Sequence, residues 1–210
     1  MSHIITRLFD NFTDARHAIV ELEDAGVSRS DISLVSHRAN KSHAGVHVRE
    51  PHDHTAAQAA GAEGGAGVAV GVVLGAAGGL LAGLGLIAIP GLGPVIAAGW
   101  LASAAVGAVT GGVVVGAAGG LIGALTHAGV SQAEAGVYAE GVRRGGTLVS
   151  VKVDDAHFTA AETALNNVPY VDIAARGAAY RETGWTGFDE TAEPYSEDEA
   201  LAEQSVYLSR

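Results

Sequence analysis

Seventy consecutive residues, from Gly64 to Ala133, carry no Asp, Glu, Lys or Arg. They contain 20 Gly, 17 Ala and 24 Val, Leu or Ile, and His127 is their one titratable group. No stretch of this kind is left to water, because its apolar side chains must meet lipid or more protein. The segment Ile89-Pro-Gly-Leu-Gly-Pro94 divides it into apolar arms at 64–88 and 95–126. Proline removes a donor and blocks helix continuation there. Built as helices, the arms would be about 38 and 48 Å long at ~1.5 Å per residue. Either exceeds the ~20 apolar residues that cross a bilayer. A hydrophobic helical hairpin over residues 64–130 is therefore expected.

Within that stretch Gly67, Gly71, Gly75, Gly79 and Gly83 recur at every fourth position, along one helical face. Gly107, Gly111, Gly112, Gly116 and Gly120 continue a small-residue stripe in the second arm, which Gly99 and Ser103 open. Small residues at this spacing let helix backbones approach closely. In water each interior Gly costs ~1 kcal/mol relative to Ala, so the stripe needs a packing partner. Two environments supply one. Arg38, Lys41 and Arg49 before the tract, and Arg143 and Arg144 after it, contrast with an uncharged central turn. That pattern predicts an inner-membrane hairpin with both termini cytoplasmic. The alternative is a soluble cytoplasmic homo-oligomer that buries the arms against copies of itself. Trp100 alone makes no aromatic belt, and Gly plus Ala dilute the insertion drive.

The flanks read as one α+β domain cut in two. Ile4, Ile5, Leu8 and Phe9 open a strand, and Thr13 is the expected cap of a helix whose apolar face is Ala15, Ala18, Ile19 and Leu22. Residues 31–36 alternate as a second strand. Beyond the tract, Ser131 caps a helix that stops at Gly145-Gly146, and 147–153 form a strand. Asp155 is then expected to cap a helix running to Asn166, and residues 170–174 read as a fourth strand. Two βαβ halves in this order predict a ferredoxin-like sandwich. The expected division is a first half at 1–36, a His-rich linker at 37–63, the hairpin, a second half at 131–180 and an acidic tail at 181–210.

Those flanks, quoted as Leu8 to Ser36, Gly145 to Val153 and Val171 to Asp189 around the glycine-rich middle, resemble the bacterial heat-induced general stress protein (YflT-like) domain family. The resemblance spans roughly residues 3–190. It implies a bacterial, stress-associated protein and brings no catalytic residues with it.

Charge and chemistry narrow the function classes. The net charge is −11, and residues 182–210 hold eight acids against Arg210. No basic stripe exists to replace phosphate counterions, so nucleic acid is not an expected partner. The start of the chain shows no cationic segment followed by an apolar one, so no secretory signal is expected. The absence of cysteine excludes thiol nucleophiles and zinc fingers. No GxGxxG is completed, no Walker lysine is possible in a tract without Lys, and HExxH and GxSxG do not occur. Neither a catalytic residue nor a cofactor is expected. His37, His43, His47, His52 and His54, with Glu50 and Asp53, offer ligands suited to Zn, Ni, Cu or Fe. Gly45 and Pro51 interrupt any single element that would array them, so no structural metal is expected. His157 beside Asp154 and Asp155 reads as a helix start. Trp185, Phe188 and Tyr195 give the acidic tail anchors for docking. The expected protein is thus a non-enzymatic stress protein whose partners are itself and membrane lipid. A small-molecule or metal-binding module is the alternative.

Overall fold

The computed structural model describes residues 2–37, 85–89, 92–102, 104, 120–193 and 195–208. The first half forms β1 (Ser2–Phe9), α1 (Phe12–Asp24) and β2 (Ile32–His37). The tract contributes β3 (Gly85–Ile89), β4 (Gly93–Ala98) and α2 (Leu121–His127). There follow α3 (Gln132–Arg143), β5 (Thr147–Asp154), α4 (Phe158–Asn166), α5 (Ile173–Glu182) and α6 (Glu197–Leu208). The five strands form one sheet in the order β1-β5-β2-β4-β3, every neighbouring pair antiparallel. The protein is therefore a mixed α/β structure. β1 and β2 run parallel with β5 in the gap between them, and α1 is the crossover.

Alternation along each strand builds two cores. Ile5, Phe9, Leu34, Val149, Val151 and Ile96 face α1 and α4. Leu8, Val35, Leu148, Val95 and Ala97 face α2 and α3 on the other side. With both faces covered, β4 is apolar at successive positions, as a doubly buried strand must be.

This overturns the helical hairpin for the part of the tract that is described. Residues 85–89 and 93–98 pair as a β-hairpin, with the Leu92 N–H donating to the Ile89 carbonyl at 3.0 Å. The chain reverses between Ile89 and Gly93, where the break is expected, but the reversal joins strands. The physical reason is twofold. Periodicity cannot separate a fully buried strand from a buried helix segment. The outer edge of β2 also has backbone groups to satisfy, and β4 pairs with it from Leu34↔Ala98 to His37↔Val95. Most of the two arms, at 64–84 and 105–119, lies outside the described residues.

The fourth expected strand, 170–174, is not formed. Only one backbone bond reaches the edge of β1, from the Val171 N–H to the Leu8 carbonyl at 2.8 Å. Asp172 then accepts from the Ala174 and Ala175 N–H groups and starts α5 instead. An Asx cap followed by Ala and Arg outweighs the short apolar signal. Two caps also move. Asn11, not Thr13, caps α1 by accepting from the Asp14 N–H at 2.8 Å; at α4 the N-cap position is His157 rather than Asp155, without a side-chain cap bond, and Asp154 accepts from the His157 N–H in the turn before it. Ser131 caps α3 as expected.

Where the tract crosses the sheet, a glycine is mandatory. Gly99 has φ +82°, and a Cβ there would stand 2.4 Å from the Ile32 carbonyl and 2.5 Å from Ser33 Oγ. Ser33 Oγ in turn accepts from the Leu101 N–H at 3.0 Å. Ser33 lies opposite Ser150, which lies opposite Thr6, and Thr6 and Ser150 hydroxyls bond at 2.9 Å. Gly99→Ala is expected to destabilise the fold by roughly 2–4 kcal/mol through left-handed strain and collision. Gly136→Ala, inside α3 with open space around the new methyl, should be neutral or stabilising by up to about 1 kcal/mol. Urea unfolding of both variants checks this.

Candidate functional site

The densest polar arrangement lies where α3 ends, and the acidic tail closes over it. Glu140, in the last turn of α3, is fully buried and accepts from both arginines that follow it. Arg143 donates through Nε at 2.9 Å and Nη2 at 2.6 Å, and Arg144 through Nε at 2.6 Å. The i, i+3 and i, i+4 spacing puts all three on one helical face. Beside them Arg176 of α5 grips Asp10 with two parallel bonds, 2.8 and 2.9 Å.

The tail supplies the rest. Arg144 Nη1 donates to Glu203 of α6 at 2.8 Å. The Gln204 side-chain amide donates to the Asp10 and Gly145 carbonyls. The Tyr207 ring lies 3.6 Å from the Arg176 guanidinium carbon, and Tyr195 lies under Arg143 and Arg144. Tyr180, fully buried, stacks on Arg144 from the body side at 4.2 Å. Ala200 is the buried apolar residue of the contact, seated against Gly145, whose φ of +98° leaves room for it. The tail therefore docks on the α/β body, as its aromatic anchors suggest. Phe188 also packs against the second core.

Burial and pairing act in opposite directions on the arginines. Burial works against the cation of Arg144, but bonds to Glu140 and Glu203 outweigh it and its pKa is raised. Arg176 follows the same logic with Asp10. Burial pushes the Tyr180 hydroxyl upward. What this arrangement does chemically is recognise a carboxylate, an amide and an aromatic ring on one helix face.

A second candidate is a cavity of about 400 Å³ at the end of the sheet, lined by Val27, Ser28, Asp31, Asp154 and His157 among others. His157 Nδ1 lies 2.7 Å from Asp154, and these bonds hold the exposed Asp154 carboxyl below its usual range. The pair is the helix start that the sequence suggests. His3 and Asp155 form a separate exposed pair at 2.6 Å. Among the described residues no group of three or more His, Asp or Glu is arranged to hold a metal.

Of the glycines expected to pack helices, Gly67, Gly71, Gly75, Gly79, Gly83, Gly107, Gly111, Gly112 and Gly116 lie outside the described residues. Gly120 is described, with φ +71°, just before α2, and a Cβ there would approach Ile89 of β3 to 3.1 Å. Its close neighbour is thus a strand. His43, His47, His52 and His54 also lie outside the described residues, whereas His37 is buried at the end of β2 opposite Val95. Arg143 and Arg144, read from sequence as a positive membrane flank, are committed to the ion network instead. Sequence reasoning missed this site, although Glu140-x-x-Arg143-Arg144 and a strongly acidic tail in want of counter-charge were both visible.

Comparison with protein-family models, with curated proteins and with solved structures finds no match to this chain. Among the described residues, no helix is long and apolar enough to cross a membrane.

Removing the charge from Glu140 should cost far more than removing it from Glu203. Glu140→Gln removes the buried carboxylate shared by two partly buried guanidinium groups, Arg144 keeping Glu203 alone, and is expected to destabilise by roughly 2–4 kcal/mol. Glu203→Gln, at a partly exposed pair, should lose about 0.5–1 kcal/mol and chiefly speed proteolysis of the tail. Denaturant unfolding and limited proteolysis separate the two.

A second expectation concerns alkaline pH. Burial pushes the Tyr138 hydroxyl, which donates to the Thr6 carbonyl, from 10.0 to about 12. The folded protein holds this proton more tightly than the unfolded chain. Stability is thus unaffected by it below pH about 10 and falls as pH rises from about 10 to 12. Tyr138→Phe should flatten part of that fall, Tyr180 retaining the rest, while losing about 1 kcal/mol at neutral pH. Unfolding curves measured from pH 8 to 12 test the sign.

Proposed function

We propose that the protein is a non-enzymatic bacterial stress-response protein that works by assembling with copies of itself, the Gly/Ala-rich stretch supplying the contact. The observation that carries this reading is that the centre of the stretch, 85–102, and its C-terminal end, 120–133, are folded into the α/β body wherever they are described. Val95, Ala97 and Leu101 in the centre, and Leu121 and Leu125 towards its C-terminal end, are buried in the core of the sheet's second face. Apolar residues fixed there are unavailable to a membrane-crossing second arm over 95–126, which favours a cytoplasmic assembly. The resemblance to the heat-induced general stress family supports the stress role. The parallel pair β1 and β2 with β5 between them supports a ferredoxin-like ancestry for the body, with the fourth strand reduced to the single Val171 bond. The raised arginine and tyrosine pKa values suit binding rather than proton transfer. Membrane association is the second reading, favoured by the uncharged sequence 64–84.

Fractionation of native lysate, followed by size exclusion without detergent, decides between them. A soluble particle of several chains is expected, and recovery in the membrane fraction would overturn the soluble assembly. Gly75→Leu is then expected to reduce the particle size, because a side chain at the midpoint of the glycine stripe blocks close approach, while Val73→Leu leaves it unchanged. Equal assembly of both variants would remove the glycine stripe from the account.

A further inference from the structure

The receptor for the tail is complete without the tail. Glu140, Arg143 and Arg144 hold one another within α3, and Asp10 holds Arg176 from the loop after β1. The ligand is equally self-contained. Ala200, Glu203, Gln204 and Tyr207 stand at i, i+3, i+4 and i+7 of α6, on one face. Each meets a group of matching chemistry, as a small apolar contact, an ion pair, an amide to two carbonyls and a ring against a guanidinium. Nothing in that match depends on which copy of the chain provides the helix.

Several features make exchange inexpensive. Ala200 is the one apolar side chain of α6 that is buried among the described residues, and Val206 on the same helix is exposed. The contact thus rests on charge and hydrogen bonds rather than on a shared core. The link is short, since Phe188 is packed on the body and Tyr195 already belongs to the docked unit. The six residues 189–194 between them, extended, reach about 20 Å. They include a turn in which Asp189 accepts from the Thr191 N–H and hydroxyl. A link of this reach, once its turn opens, lets the terminal helix meet the same receptor on a neighbouring copy within about 20 Å. Reciprocal exchange keeps every contact and closes on itself as a two-fold interface.

We propose that in the assembled protein the arginine junction of one copy takes the C-terminal helix of a neighbouring copy, and the neighbour takes its helix in return. This rests on the self-assembly reading above. Assembly raises the local concentration of neighbouring tails, so the second contact becomes effectively intramolecular.

The absence of native cysteine makes the test direct. In the full chain, Gly145→Cys/Ala200→Cys places two thiols where the built Cβ of residue 145 and the Cβ of residue 200 are 3.0 Å apart. A photoactivatable residue in place of Leu201, partly buried beside Ala200 and outside the four named contacts, gives the same one-chain or two-chain readout if cysteine at the left-handed position 145 impairs folding. The bridged protein is run on a denaturing, non-reducing gel, and light scattering on the native sample reports its assembly state. A shift of the dominant band from one-chain to two-chain mass is expected. A native particle of several chains whose bonds are all intrachain overturns the exchange and leaves self-assembly standing. A native monomer with intrachain bonds overturns both.

Discussion

Backbone pairing between β2 and β4 is the interaction on which the rest of this structure depends. β2 belongs to the first half of the chain and β4 to the charge-free tract, so their ladder stitches an apolar insertion into the body that it interrupts. Once β4 is fixed, β3 follows through a tight hairpin, and the sheet's second face gains Val95 and Ala97. That face then accepts α2 and α3, and α3 in turn presents Glu140, Arg143 and Arg144 at its end. Gly99 and Ser33 mark where this stitching is tightest, with backbone against backbone.

The elements that were legible in sequence are those with a period and a cap. β1, α1, β2, α3, β5 and α4 each show alternation or helical spacing between recognisable ends, and all six form near their expected limits. Where a stretch is apolar at every position, no period exists to read, and residues 85–88 and 95–98, on either side of the Pro/Gly turn, read as helical because length and glycine spacing are the remaining cues. Residues 170–174 failed for a different reason. Their apolar pattern is two residues long, and the Asp172 cap decides the local conformation. The tail site was legible only in part. Its aromatic anchors announced docking, but the receptor is assembled from the β1 loop, α3 and α5, residues far apart in sequence.

The arginine junction shows why buried charge is worth its desolvation here. Glu140 lies between two guanidinium groups, Glu203 supplies the second carboxylate that balances them, and both guanidiniums lie on tyrosine rings. Removing one partner leaves another charge buried alone, which costs more than the pair contributes. The tail is the outermost layer of this arrangement, held by Glu203, Gln204 and Tyr207 rather than by apolar area. A body fastened inside by a sheet and outside by a polar strap is well placed to keep its core while its tail changes partner.

The central claim is that the centre of the charge-free tract, 85–89 and 93–98, forms strands of the sheet. Nuclear magnetic resonance of labelled protein tests it through cross-strand Hα and amide contacts between residues 34–37 and 95–98. The account predicts those contacts, with extended-chain shifts over 85–89 and 93–98. Helical shifts across 85–98, with no contacts to residues 34–37, would contradict it.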